Sequence, residues 1–266
     1  MRKNRVKQAL RSGGVSMGVM CLEFATTGIG PLSAAGGAEF AVYDMEHTGW
    51  GLETIKMLVA TSRAADLVPI VRVPTNDYHF IAHALDVGAM GLVIPLVGTA
   101  EQARHAVDCA MYPPKGRRGC AFAIAHDEYK GGDLAAKVRH LNDNVLIIAQ
   151  IETAEGLASV EEIAAVEGVD GLWIGQYDLT NSLGIPGQFD HPLFIDATRR
   201  ILDACAAHNK AATLAVMDPD ELASGPARGF RLLVYAADLW IYQQALRRCF
   251  RTIRTVLGTD GEAETP

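Results

Sequence analysis

Eight short apolar runs, several of them rich in β-branched residues, alternate along the chain with longer stretches at helical period, and this alternation leaves few folds open. The runs fall at 15–21, 39–43, 68–73, 91–94, 145–151, 170–175, 211–216 and 230–235. The helical stretches fall at 51–65, 77–87, 99–110, 154–166, 192–208, 218–225 and 237–257. Strands that alternate with helices pair in parallel, because each helix carries the chain back to the end where the next strand begins. VLIIAQI and GLVIPL are apolar without polar alternation, as strands covered on both faces should be. The pattern predicts a parallel α/β barrel in a single domain over 1–257. The polar tail GTDGEAETP breaks the last helix and predicts disorder over 258–266. The segment 111–144 is the longest irregular stretch. It opens on the turn-rich MYPPKGRRGCAF and offers a helix only at DLAAKVRHL; so long an excursion usually carries function or an interface.

Composition narrows the function classes. The formal charge is 24 − 31 = −7, which gives no electrostatic footprint for nucleic acid. The basic start, MRKNRVKQALR, reads as a solvated amphipathic helix. Cys21, Cys109, Cys120, Cys205 and Cys249 are scattered and never form a C-x-x-C pair, which argues for a reduced compartment without a disulfide framework or structural zinc. No apolar run is long enough to span a membrane, and Glu23 interrupts what would be the apolar region of a signal peptide. The expected location is the cytoplasm, with no membrane partner.

Four polar clusters each follow an apolar strand, and a parallel barrel brings strand ends together at one mouth. They are Asp44-Met45-Glu46-His47, Arg72, Gln150-Ile151-Glu152 and Asp178. Glu152 and Asp178 together suit a hard cation such as Mg²⁺ or Mn²⁺, with room for water and substrate oxygens. Each alone reads equally as a cap for the helix that follows. His47 is of the residue type suited to taking and returning a proton, with Asp44 and Glu46 to orient it. Arg72 must find an anion, either a structural partner in Asp44 or Glu46 or a substrate oxygen. Gln150 shares a strand face with Glu152 and either contacts substrate or satisfies a neighbour inside the barrel. His126 and Asp127 read as a surface pair rather than as mouth residues, and Trp50, Trp173 and Trp240 as packing.

The motifs DMEH, VRVPTND, LDVGAMGLVIPLVGTAEQARHAV, YPPKGRRG, QIETAEGL and VEGVDGLWIGQYDLTNSLG, in this order, resemble the HpcH/HpaI aldolase family of metal-dependent class II pyruvate aldolases, over about residues 5 to 250. The resemblance implies a (β/α)8 TIM barrel whose C-terminal helix is exchanged between subunits of a homo-hexamer. It implies a divalent cation, Mg²⁺ or Mn²⁺ with Co²⁺ as a further option, held by Glu152 and Asp178. It makes His47 the general base, Arg72 the stabiliser of the transition-state oxyanion and Gln150 a contact to the keto acid. The backbone of Tyr177 and Asp178 would hold the substrate carboxylate. Asp86 in ALDVGA takes the place of an aspartate that raises the basicity of the histidine, although the helical reading puts it at the far end of 77–87, away from the mouth. The implied reaction is reversible cleavage of a 4-hydroxy-2-oxo acid to pyruvate and an aldehyde through an enolate. The alternatives are a citrate-lyase-type lyase acting on a CoA thioester, and a barrel that binds a keto acid without turnover. The chain departs from common family patterns at Met45, Thr48-Gly49-Trp50, Gln176-Tyr177 and Cys120-Ala121-Phe122, which bears on the choice of aldehyde.

Overall fold

The computed structural model describes residues 1–258; of the tail expected at 258–266, all but Gly258 lies outside the described residues. Eight strands, β1 (Ser16–Cys21), β2 (Phe40–Asp44), β3 (Val68–Arg72), β4 (Gly91–Ile94), β5 (Leu146–Ile151), β6 (Gly171–Ile174), β7 (Ala211–Val216) and β8 (Phe230–Ala237), pair in parallel in chain order, and β8 returns to β1 to close the barrel. The (β/α)8 TIM barrel is therefore the fold. The helices are α1 (Arg5–Arg11), α2 (Ile29–Ala35), α3 (Leu52–Ala64), α4 (Tyr78–Asp86), α5 (Ala100–Ala110), α6 (Leu134–Asn144), α7 (Ala154–Ala158), α8 (Val160–Ala164), α9 (Gln176–Ser182), α10 (Pro192–Ala207), α11 (Pro219–Ser224) and α12 (Asp238–Leu257). No helix among the described residues is long and apolar enough to cross a membrane.

The two-residue period of a strand splits each apolar run between two cores. Phe40, Val42, Val68, Ile70, Ile148 and Trp173 fill the barrel interior. Their neighbours Ala41, Tyr43, Val71, Ile147, Ala149 and Leu172 pack outward under the helices. Gly18 on β1 makes room for Phe40: a Cβ there would lie 2.4 Å from the Phe40 carbonyl oxygen and 2.5 Å from its ring. The same period sends the last residues of the strands inward at the C-terminal mouth. Asp44 continues the inward set of β2, Arg72 that of β3 and Gln150 that of β5.

The opposite end, the floor formed by the strands' N-termini, is plugged by α1. This helix exists where the basic start predicted it, but it is not a solvated face. Val6 and Leu10 join the interior cluster. Lys7 is 2% exposed, and its Nζ lies 2.8 Å from Asp170. Asn4 caps α1 by accepting from the Lys7 N–H, while its own amide donates to the carbonyls of Met90 and Asn144.

Three other expectations change. The single helix expected over 154–166 breaks at Ser159, which leaves helical geometry at φ −103°, ψ 12° and separates α7 from α8. The short helices α2 and α9 were not marked by a long apolar period; each has only seven residues. His126 and Asp127 are not a surface pair: both are buried inside the 111–144 excursion, with Tyr112 and Lys137.

Candidate active site

The mouth is assembled from neighbouring strand ends. Asp44 and Arg72 are register partners on β2 and β3. The carboxylate of Asp44 accepts from Arg72 Nε at 2.7 Å and from Nη2 at 2.8 Å, a bidentate pair with both groups buried. Asp44 also accepts from the backbone N–H groups of Glu46 and His47, so it holds the chain turn that presents the histidine. Arg72 Nε lies 3.1 Å from Glu46 Oε2, which has no aligned hydrogen-bond donor. Burial works against the Arg72 guanidinium, but the Asp44 hydrogen bonds and charge outweigh it and raise its pKa. The sequence left Arg72 between a structural and a catalytic role; its Nε and Nη2 are committed to Asp44.

His47 is 55% exposed on its side chain, and its Nε2 lies 3.8 Å from Glu46 Oε2. Glu46 itself is pushed from the usual 4.5 to about 7. Burial is the main cause; Arg72 opposes it, while Glu152, Asp44 and Asp178 add to it. The carboxylates of β2, β5 and β6 thus feel one another across the mouth.

Glu152 follows β5 and is 1% exposed. Its Oε1 accepts from the Leu96 N–H at 2.6 Å, and its Oε2 accepts from Gln150 Nε2. Leu96 reaches it from a left-handed backbone, φ 55°. Burial raises the Glu152 pKa; the two hydrogen bonds oppose this and Asp178 reinforces it. Gly175 closes over this carboxylate. A Cβ there would stand 2.5 Å from Glu152 Cβ and 2.6 Å from its Oε2, so only glycine lets β6 pass this close. Asp178 and the exposed Tyr177 lie in the first turn of α9, just past Gly175. Gln150 Oε1 is buried without a partner.

Asp86 is the residue the structure does not bring to this group. It ends α4, which runs from the mouth back to the floor, and it accepts from Arg118 Nη2 at 2.6 Å. Conversely, Asp238 at the start of α12 escaped the sequence. Its buried carboxylate accepts from the N–H groups of Leu22, Glu23 and Phe24, fixing the loop that leaves β1 at the mouth. Backbone recognition of this kind carries no side-chain pattern; the signal available was an acid at a strand-to-helix junction.

Residues 33–239 match the family model described as HpcH/HpaI aldolase/citrate lyase. The chain belongs to the HpcH/HpaI aldolase/citrate lyase family. It is 38% identical over 208 residues to a hydroxypyruvate/pyruvate aldolase of Sagittula stellata, covering 78% of this chain and 80% of that protein. It is 38% identical over 219 residues, 81% of each chain, to a 4-hydroxy-2-oxovalerate aldolase of Novosphingobium aromaticivorans. The crystal structure of an HpcH/HpaI aldolase from Desulfitobacterium hafniense superposes with a TM-score of 0.89 at 30% identity, covering 98% of both chains. The protein is a carbon–carbon lyase of this family.

Proposed function

We propose that this protein reversibly cleaves a 4-hydroxy-2-oxo acid to pyruvate and an aldehyde, with a divalent cation held by Glu152 and Asp178. The observation that carries this reading is the charge imbalance of the mouth: the carboxyls of Asp44, Glu152 and Asp178 all act on Glu46, against the charge of Arg72. Two of the four carboxyls are raised in pKa, and Glu46 Oε2 is a buried acceptor without a donor. Oxygen donors short of positive charge fit Mg²⁺ or Mn²⁺, with Co²⁺ as a further option. Among the described residues no three His, Cys, Asp or Glu side chains form a ligand group, so two carboxylates would leave the other positions to water and substrate. The cation, when bound, supplies Lewis acidity toward the keto acid oxygens. The names of the two curated relatives, both aldolases of short oxo acids, support the same substrate class.

The chain's own residues supply the rest. His47, half exposed beside Glu46, takes the proton from the C4 hydroxyl. The C3–C4 bond then breaks, its electron pair passes to C3 as the pyruvate enolate, and a proton returned to C3 completes pyruvate. Arg72, oriented by Asp44 through Nε and Nη2, stabilises the developing oxyanion through its remaining N–H groups. Gln150, whose amide nitrogen donates to Glu152, contacts the keto acid beside that carboxylate and fixes its pose. The first-turn N–H groups at Tyr177 and Asp178, which have no acceptor within their helix, take the substrate carboxylate.

The assembly belongs to the same reading. Asp86 and His47 lie at opposite ends of one barrel, so the role that the family resemblance gives Asp86 requires the His47 of a second copy. We assign the exposed apolar stripe of α12 to that contact, in a homo-hexamer. The functional test is exchange of the pyruvate methyl protons in D₂O, followed by NMR on metal-stripped protein before and after addition of Mg²⁺ or Mn²⁺. Exchange only with the cation is expected. No exchange in folded protein that binds the cation would remove pyruvate as the nucleophile.

A further inference from the structure

The floor of the barrel holds a second group of buried polar side chains. There the excursion between β4 and β5 folds against the end of α4. Arg118 lies over the Tyr112 ring at 4.6 Å and donates Nη2 to Asp86, but its buried Nε has no partner among the described residues. His126 Nδ1 is likewise buried and unpartnered. The tautomer of that ring follows from Tyr112. The Tyr112 hydroxyl is buried, and its hydrogen-bond neighbour is His126 Nε2 at 3.2 Å. The hydroxyl proton needs an acceptor, so Nε2 accepts and the neutral ring keeps its proton on Nδ1. Burial, reinforced by the Arg118 charge, holds the imidazole down to about 4, which keeps it neutral at pH 7. Both orphaned atoms are therefore donors.

Arg118 and His126 line one cavity of about 30 Å³, and Arg2, Arg63 and His140 line it with them. No carboxylate lines it. The nearby acids pair with the groups around it: Asp86 with Arg118 Nη2, Asp127 with Lys137, and Glu128 with Arg63 and Arg2 at 3.6 and 3.7 Å, but none accepts from Arg118 Nε or His126 Nδ1 among the described residues. A buried donor without an acceptor opposes folding. We infer that this cavity binds a small inorganic anion of chloride size, which accepts from Arg118 Nε–H and His126 Nδ1–H and is balanced by Arg63 and Arg2. Its volume suits one such ion or about two waters. The anion would tie the excursion to α3 through Arg63 and to the N-terminal segment through Arg2.

The test uses the full chain. Thermal unfolding is titrated with chloride against gluconate at constant ionic strength, and crystals are soaked in bromide for anomalous diffraction. The expected result is a saturable rise in Tm with chloride and an anomalous peak inside the cavity. Arg118→Lys and His126→Gln should each weaken the apparent chloride affinity about tenfold. A cavity filled only by water in bromide crystals would overturn the site. So would a chloride effect of equal size in both variants, which would mark a general salt response. The bromide experiment decides the question on the unaltered protein even where a variant fails to fold.

Discussion

At the scale of single residues, the mouth is governed by close approach and shared charge. Gly175 shows the first. Gly175→Ala would put a methyl group 2.5 Å from Glu152 Cβ, so the carboxylate must leave its place between Leu96 N–H and Gln150. The expected loss is about 10²-fold in kcat/KM with Tm changed much less, since misplacement by about 1 Å has that effect on chemistry; steady-state kinetics beside calorimetry check it. Glu46 shows the second. Its carboxyl is raised to about 7, so the fold favours its neutral form. Its contribution to stability is present below the usual carboxylate range and is lost as pH rises from 4.5 through about 7. Glu46→Gln removes that loss, and in metal-free protein its advantage over the native chain should grow by at most about 3 kcal/mol between those limits. Denaturant unfolding at both ends of the window reads the difference, and added Mg²⁺ should shrink it. Asp44, Arg72, Gln150 and Glu152 were legible because a polar residue ending an apolar strand is costly unless used. The Leu96 N–H and the Asp238 loop clamp were not, because their chemistry is carried by backbone amides that every sequence contains.

At the scale of elements, apolar period and strand length placed all eight strands, since a strand covered on both faces must be apolar throughout. α2 escaped because it is too short to show a period and contains glycine and proline, while α9 was legible only as a helix start around Asp178. The 111–144 excursion escaped for another reason. Its buried polar groups meet partners distant in sequence, and HD looks like surface until Lys137 and Tyr112 are brought to it. This element should carry its own acid sensitivity. His126 is lowered to about 4 in the fold and takes up a proton near 6.5 when unfolded. Its contribution is whole above 6.5 and is lost as pH falls from there toward 4. We expect a loss of up to about 3 kcal/mol over that window, largely absent in His126→Gln. Urea unfolding in low-chloride buffer measures it, and an equal slope in native and variant protein would place the acid sensitivity elsewhere.

At the scale of the whole molecule, the barrel buries most of its strand residues and leaves most of its last helix bare. Of α12 only Asp238 is buried, while Tyr242, Leu246, Phe250, Ile253 and Leu257 recur at helical spacing along one exposed side. Such a stripe costs little where it meets an apolar partner, and monomers rarely leave one of this extent in water. Only its first turn, at Leu239 and Trp240, packs against the interior cluster, so the stripe beyond it can be altered without unfolding the domain. Leu246→Glu combined with Phe250→Glu should convert an oligomer into a species of 28.5 kDa by light scattering, with the circular dichroism of the barrel retained. A native chain that already runs as a monomer at micromolar concentration would remove the contact. The same pair of substitutions separates the two ends of the catalytic reading. Glu152 and Asp178 are both supplied by one chain, so binding of Mn²⁺ should survive dissociation. Asp86 and His47 are at opposite ends of the barrel, so turnover should fall with the oligomer while metal affinity does not. Loss of both together would mean instead that the mouth itself is shaped by the neighbouring copy.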